Sequence, residues 1–199
     1  MAAPAEMTTR DISGKFIMNK TLSDDSDEIL RLQGVSWFTR KAIAMATLYL
    51  DIKHFKDDSG IEHIDIDQTI TGGIKGTNEH RILDWTERPH EDHVFGPVLS
   101  KSRRVTLDDV EREWLKKDWL EESFADGHII YTCAKSDSAK SGTTWSSEQV
   151  WGFETVNGEK RYARHVYFEG PKGEVVTIRL VYDYREFRLD FLVAPCLTS

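Results

Sequence analysis

The sequence lacks the hallmarks of several large protein classes. No segment approaches the roughly 20 consecutive apolar residues that a membrane-spanning helix needs. Residues 1–10 are polar and Ala-rich, without the apolar core of a secretory signal, and we expect a flexible tail there. The two cysteines, Cys133 and Cys196, have neither redox nor zinc spacing. We therefore expect a cytoplasmic protein with reduced thiols and no membrane span.

Clustered positive charge is also absent. The formal net charge is -8, and basic residues form only isolated pairs such as Arg103-Arg104 and Lys116-Lys117. Such pairs are typical of a solvated surface. Proteins that hold nucleic acid through its phosphates need a basic block to displace counterions. We therefore expect no nucleic-acid partner.

Motifs for covalent or cofactor chemistry are missing as well. There is no nucleophile motif, phosphate loop or dinucleotide fingerprint. The densest ionisable cluster, His90-Glu91-Asp92-His93, has two histidines at zinc-like spacing but no third ligand defined by spacing. We expect exposed loop residues there, no metal and no cofactor. The alternative is that His90 or Glu91 acts as a general acid or base at the mouth of a cavity.

Alternation of apolar and polar residues dominates what is present. The segments 47–55 and 61–70 alternate across a turn, and Asn157-Gly158 between 144–156 and 160–169 is the strongest hairpin signal in the chain. Further strands are predicted over 14–18, 76–87, 95–106, 127–135 and 175–184. About nine or ten strands joined by short turns favour a mainly β protein, an up-and-down antiparallel β-barrel with room inside for a ligand.

Helical patterns interrupt this meander in two places. Residues 27–33 and 36–46, separated by Gly34, predict a helix-turn-helix that caps one mouth of the barrel. Apolar residues at spacings near four predict an extra helix over 107–123. We assign residues 11–186 to the barrel. The rather apolar C-terminal extension, 187–199, is expected to cover an outer face or to contact a second chain in a homodimer.

The start of this pattern resembles a known family. Gly14-Lys15-Phe16, the helix pair and the run from Gly34-Val35 through Thr39-Arg40-Lys41 to Met45 are similar to the intracellular fatty-acid-binding proteins of the calycin, or lipocalin-like, superfamily. The likeness covers roughly residues 11–95; beyond them only the general β-meander matches. It implies a ten-stranded barrel in which the helix pair is a portal to an internal cavity that holds a small hydrophobic ligand.

The resemblance also implies which side chains line the cavity and contact the ligand. In the first half of the chain these are Val35, Thr39, Met45, Leu50, Ile52, Ile66 and Gln68. In the second half they are Trp151, Phe153, Arg164, Val166 and Tyr182. The assignment for the strands of the first half agrees with the apolar faces found from alternation alone.

One departure from the family pattern bears on the ligand. Many family members end in an Arg-x-Tyr that holds a carboxylate, whereas here Leu180 stands two residues before Tyr182. Arg164 is the remaining candidate interior cation, and burying it requires a carboxylate or an anionic ligand as partner. A shift of one residue would instead turn His165 and Tyr167 inward. We therefore expect an aromatic or polycyclic ligand rather than a fatty acid.

Two functions remain open at this level. The first is a carrier that binds a small hydrophobic molecule without changing it. The second is a cavity enzyme of secondary metabolism, a cyclase or isomerase acting on a terpenoid or polyketide intermediate, with Arg164 as a candidate catalytic residue. Such enzymes need few catalytic side chains, because orientation and exclusion of water supply much of the rate enhancement.

Overall fold

The computed structural model describes residues 1–71 and 74–185. Within them the protein is mainly β, with a helix-turn-helix after the first strand. The strands are β1 Gly14–Met18, β2 Leu48–Lys56, β3 Glu62–Ile70, β4 Ile74–Ile82, β5 Arg88–Asp92, β6 Gly96–Val105, β7 Ile129–Ser136, β8 Ser146–Val156, β9 Glu159–Glu169 and β10 Val175–Arg185. The helices are α1 Asp27–Leu32, α2 Trp37–Met45 and the single turn α3 Ser138–Ser141.

The ten strands form one antiparallel sheet in the order β4-β3-β2-β1-β10-β9-β8-β7-β6-β5. Consecutive strands pair with each other except β4 and β5, which stand at the two ends of this order, and β1 also pairs with β10. The sheet curls into a half-barrel, so that β4 lies against β6. Arg104 Nη2 on β6 lies 2.6 Å from Glu62 Oε1 on β3 and ties the two sides together. The predicted fold class is thus confirmed.

Register places one set of side chains inside the curl. Trp151 is opposite Arg164, and Ile52 is opposite Ile66, so each pair shares a face. The interior is a continuous apolar cluster because alternate residues of every long strand point into it. Its buried members are Ala3, Ile12, Phe16, Leu50, Ile52, Ile64, Ile66, Ile130, Trp151, Phe153, Tyr162 and Tyr182.

The two helices close the end of the curl where β1 stops and β2 starts. Ile29 and Leu32 of α1 pack on Val166, Phe168 and Ile178, which anchors α1 to the sheet. Gly34 follows with a φ of +86°, a conformation that glycine adopts without steric cost. Helix α2 is capped by the Ser36 side chain and buries none of its residues. It therefore lies over the opening rather than in the core.

The segment predicted as one helix over 107–123 is instead divided into three 3-10 helices, Leu107–Asp109, Glu113–Lys116 and Glu121–Ser123. Its apolar residues do turn to one side, where Leu115 and Trp119 pack on the outer face of the sheet. The backbone, however, bonds to the end of β8, with the Leu120 amide donating to the Phe153 carbonyl at 2.9 Å. A continuous α-helix would keep that amide for itself.

The first ten residues, expected to form a flexible tail, lie against the base of the sheet. The Ala3 amide donates to the Lys160 carbonyl at 2.7 Å, and the Tyr184 amide donates to the Met1 carbonyl at 3.0 Å. Thr9 is fully buried, and its hydroxyl donates to the His128 carbonyl at 3.0 Å. The ends of β9 and β10 offer backbone groups that this segment satisfies.

One further sequence expectation is wrong, and another concerns residues outside those that the structure describes. Residues 88–92, expected as a loop, form the edge strand β5, where Pro89 is tolerated since an edge residue need not donate a hydrogen bond. The C-terminal extension, 187–199, and its expected homodimer contact lie outside the described residues. Among the helices within the described ranges, none has both the length and the apolar character needed to cross a membrane.

Candidate functional site

The interior of the curled sheet is packed at its base and open toward the helices. Phe16, Ile64, Phe153 and Tyr162, in the lower half, are fully buried. In the upper half, Val166, Phe168 and Ile178 are buried beneath α1, but other inward-facing residues keep partial exposure. They are Met18, Leu48, Gln68, Ser100, Ala134, Gln149 and Leu180. The partly exposed residues indicate space beside the α1 contact, with the packed aromatic residues as its floor.

A buried arginine lies at the boundary between the floor and the open half. Arg164 of β9 is 5% exposed. Its Nε donates to the Tyr162 hydroxyl at 3.0 Å, and its Nη1 lies 3.3 Å from Glu79 Oε1. Its guanidinium carbon is 3.9 Å from the Trp151 ring centre and 5.5 Å from that of Tyr182. The aromatic rings thus hold the cation by their faces, and Glu79 balances its charge.

Glu79 of β4 is shared among three donors. Gln68 Nε2 donates to it at 2.8 Å and Arg81 Nη2 at 2.6 Å, in addition to Arg164. Burial by itself raises the pKa of the Glu79 carboxyl, but the charges of Arg81 and Arg164 outweigh burial and lower it to about 2. Glu79 is therefore ionised at neutral pH, and one carboxylate faces two guanidinium groups.

The cluster retains one unused hydrogen-bond donor. Arg164 Nη2 is buried and has no hydrogen-bond partner among the described residues. Burial raises the pKa of the Tyr162 and Tyr182 hydroxyls, although the nearby Arg164 lowers it in part, so both remain neutral. Buried donors of charged groups are nearly always satisfied. A net positive interior with a free guanidinium N–H suits an oxygen atom of a ligand.

The structure gathers most of the predicted cavity residues. Leu50, Ile52, Ile66, Trp151, Phe153 and Tyr182 share the interior cluster. Gln68 and Arg164 join the polar group, and the inward facing of Arg164 matches the first of the two alternatives. Val35 is buried beside the helices, and Val166 packs with α1.

Four candidates lie away from this group. Met45 of α2 is 86% exposed, and Thr39 is exposed, with its hydroxyl 2.8 Å from that of Ser36. His90 and Glu91 are exposed on the edge strand β5. In the part of the chain that is described, no group of three metal-ligating side chains comes together.

Sequence reasoning missed Glu79, Arg81, Tyr162 and Gln149. Gln149 accepts a hydrogen bond from Trp151 Nε1 at 2.9 Å, inside the sheet. The available signal was alternation in β4, where Glu79 and Arg81 are two residues apart and therefore share a face. Two charged residues on one face of a strand ordinarily predict that this face is exposed to solvent. Only the need of a buried Arg164 for an anionic partner indicated that they face the interior.

Comparison with known proteins adds two curated relatives. No protein-family model matches the chain. The chain is 29% identical over 187 residues to "Probable pericyclase scpY" of Mollisia scopiformis, covering 92% of this chain and 94% of that protein. It is 27% identical over 195 residues to the pericyclase pydY of an Acremonium species, covering 92% and 97%.

Solved structures give a second comparison. A Schistosoma mansoni fatty acid binding protein in complex with arachidonic acid has a TM-score of 0.51 at 14% identity, covering 92% of this chain and 100% of that one. The REP1-NXSQ fatty acid transporter has a TM-score of 0.50 at 14% identity, covering 88% and 96%. Together with the strand order and the helix pair, these comparisons show that the chain has the fold of the fatty-acid-binding proteins.

Proposed function

We propose that the curled sheet binds a small, largely hydrophobic molecule, aromatic or polycyclic, with one oxygen-bearing group against Arg164. The observation that carries this proposal is the buried Arg164 Nη2, which has no partner among the described residues and lies near partly exposed inward-facing side chains. A hydrogen bond to a charged group contributes about 1.5–3 kcal/mol, enough to orient a ligand.

The lining supports this ligand class. Trp151, Phe153 and Tyr182 supply apolar faces, and ring stacking favours planar molecules. Two guanidinium groups share the Glu79 carboxylate, so a carbonyl, enolate or carboxylate oxygen is favoured at Arg164. A mostly apolar pocket with a few convergent polar groups is the usual form of a small-molecule site. Its setting in the cytoplasm, without a nucleic-acid partner, remains our expectation.

Cyclisation of the bound molecule is the second candidate. Both curated relatives are named pericyclases, and both are matched over nearly their whole length. A pericyclic reaction moves electrons around a ring of atoms in one step, and it needs neither a nucleophile nor a proton shuttle. The aromatic walls would fold the substrate so that its reacting carbons meet. Arg164 would withdraw electron density from a substrate carbonyl.

Binding is tested with Nile red, a neutral polycyclic dye that carries a carbonyl group. We expect its emission to rise and shift to the blue on binding. Arg164→Gln should weaken binding about tenfold, the equivalent of roughly 1.4 kcal/mol. Arg185→Gln, which removes an exposed arginine from the same sheet, should leave binding unchanged. Absence of dye binding to folded protein, or equal binding by the two variants, would refute the proposal.

Catalysis is tested with an extract of small metabolites and mass spectrometry. A pericyclic cyclisation conserves mass, so an enzyme should convert one compound into an isomer with a new retention time. A carrier should only retain a compound that is released unchanged on denaturation. Arg164→Gln and heat-denatured protein serve as controls. If the protein retains a compound from these extracts but never converts it into an isomer, the carrier function is favoured.

A further inference from the structure

A second pocket lies on the opposite face of the sheet from Arg164. It has a volume of about 400 Å³ and is formed over the outward side chains of β6, β7 and β8. Its lining includes Trp85, Lys101, Arg103, Tyr131, Cys133 and Glu148. Pockets of this size accept small organic molecules, whose sites begin at about 300 Å³. Nothing in the proposed interior function uses it.

Two cations in this pocket lie outside the ion pairs of the described residues. Lys101 Nζ is 4.1 Å and the Arg103 guanidinium carbon 4.2 Å from the Trp85 ring centre. Neither side chain forms an ion pair with any residue in the described ranges. Arg103 Nε is in addition buried without a hydrogen-bond partner there. The pair therefore presents two cations outside any described ion pair, and Arg103 keeps a donor without a described partner.

Four carboxylates line the pocket, and three of them have partners other than Lys101 and Arg103. Glu87 lies 2.9 Å from Lys135 Nζ. Glu148 accepts from the Tyr131 hydroxyl at 2.5 Å and from Arg112 at 3.2 Å. Asp109 accepts from the Thr106 hydroxyl at 2.8 Å, and its pKa is lowered by the Thr106 hydrogen bonds and, more weakly, by the charge of Arg103. Glu111 is exposed. The cation pair is thus the part of the pocket that remains available to an anion.

The backbone conformation of Trp85 also indicates that this pocket is a functional site. Its φ of +62° is a left-handed conformation that bulky residues rarely adopt. Its amide donates to the Ser102 carbonyl at 2.9 Å, which holds the residue beside β6. Its ring lies 5.7 Å from the Tyr131 ring at an angle of 31°. Backbone strain of this kind concentrates at functional sites.

We propose that this outer pocket is a second ligand site for a small planar aromatic carboxylate. The carboxylate pairs with Lys101 and Arg103, and the ring of the ligand packs against the aromatic wall of Trp85 and Tyr131. An inorganic anion alone would leave most of the pocket empty. A neutral aromatic molecule would leave both cations without a partner.

Amide NMR spectra of the full chain during titration with naphthoate test this site. We expect shifts at residues 101–103 and 131–133, and binding about tenfold weaker for the neutral amide naphthamide. The variant K101Q/R103Q should also lose about tenfold in affinity for naphthoate. The variant K53Q/K172Q removes the same charge from exposed positions outside the pocket and should bind normally.

Three results would overturn the proposal. Shifts confined to the interior around Tyr162 and Arg164 would place naphthoate in the other site. If naphthamide bound with the same affinity as naphthoate, the cations would have no role in binding. If sulfate produced the same shifts at the same affinity, the aromatic ring of the ligand would have no role. Amide dispersion reports whether K101Q/R103Q folds; if it does not, Lys101→Gln alone should weaken binding about threefold.

Discussion

The two faces of β9 bury charge in different ways. On the inner face, Arg164 contacts Glu79 and retains an unpartnered N–H beside open space. On the outer face, His165 Nε2 lies 3.2 Å from Glu154 Oε2, and the Trp114 and Trp119 rings cover the imidazole at 5.3 and 4.3 Å. We propose that the inner pair is open to a ligand, whereas the outer pair is covered by protein.

This difference assigns different tasks to neighbouring residues of one strand. The outer cluster joins the 107–125 segment to the sheet and should contribute mainly to stability, because its side chains are already covered. The inner cluster should contribute mainly to binding, because its donor is incomplete without a ligand. Substitutions on the two faces should therefore separate stability from affinity.

The largest expected effect is that of Trp119→Ala on the outer face. Removing this ring uncovers His165 and leaves a cavity, so we expect the free energy of unfolding to fall by about 3–5 kcal/mol. Urea denaturation measures the loss, and Nile red affinity of the folded fraction should not change. Trp37→Ala, at an exposed tryptophan of α2, should change stability by less than about 0.5 kcal/mol. If Trp119→Ala also lowered the affinity for Nile red, the two faces would not separate stability from binding.

Acidification should destabilise the inner cluster by a somewhat smaller amount. The pKa of Glu79 is about 2 in the folded protein against 4.5 ordinarily. A depressed pKa stabilises the fold above pH 4.5, and this contribution, on the order of 3 kcal/mol, is lost as the pH falls toward 2. The pKa of Glu62 is also lowered to about 2, so its protonation adds to the loss of stability at acid pH in all variants.

Urea midpoints measured from neutral to acid pH test this linkage. Glu79→Gln should be less stable than the native protein at neutral pH, because it leaves Arg81 and Arg164 without their shared carboxylate. It should also lose less stability on acidification. Glu113→Gln, at a largely exposed carboxylate, should follow the native curve. Identical acid slopes for Glu79→Gln and the native protein would contradict the assignment.

A moderate loss of stability is expected from a substitution at Gly152, where the outer face is tightly packed. A Cβ added at Gly152 would lie 2.8 Å from Ile129 Cδ1 and 3.1 Å from Trp119 Cε3. Gly152→Ala should therefore cost about 1–3 kcal/mol through overpacking. Gly127→Ala is not a suitable control, because its φ of +75° adds backbone strain. Thr155→Ala, at an exposed position of the same strand, serves instead, and thermal unfolding compares the two variants.

The smallest effect is expected at the portal, which belongs to neither face. Met45 is exposed, so Met45→Ala should change stability by less than about 0.5 kcal/mol. If Met45 contacts a bound ligand, as the family resemblance predicts, the same variant should weaken Nile red binding about threefold. Unchanged affinity would restrict the ligand site to the strands.

Strand content was largely predictable from the sequence. Clean alternation placed β2 and β3, and Asn157-Gly158 placed the β8–β9 hairpin. Edge strand β5 was missed because its charged residues and Pro89 carry no apolar period. The 107–123 segment was misassigned to a single helix because a spacing near four reports which residues share a side, but not where the backbone hydrogen bonds go.

The sequence likewise predicted only part of the candidate site. The apolar lining followed from alternation and from the resemblance to fatty-acid-binding proteins. Both faces of β9 are buried at Arg164 and His165, so alternation alone could not decide which one pointed inward. The partner of Arg164 was also beyond sequence reasoning, because Glu79 is 85 residues away and its charge predicted a solvent position.

The sequence by itself determined that this chain is a β-meander with a helical lid, since alternation, turn residues and helix caps are local properties. Only the tertiary structure decided how the charges are used. The curl of the sheet brings β4 over β9 and gives Arg164 its carboxylate, while the covering segment closes over His165. Such contacts depend on the closure of the sheet in three dimensions, for which no local pattern provides a signal.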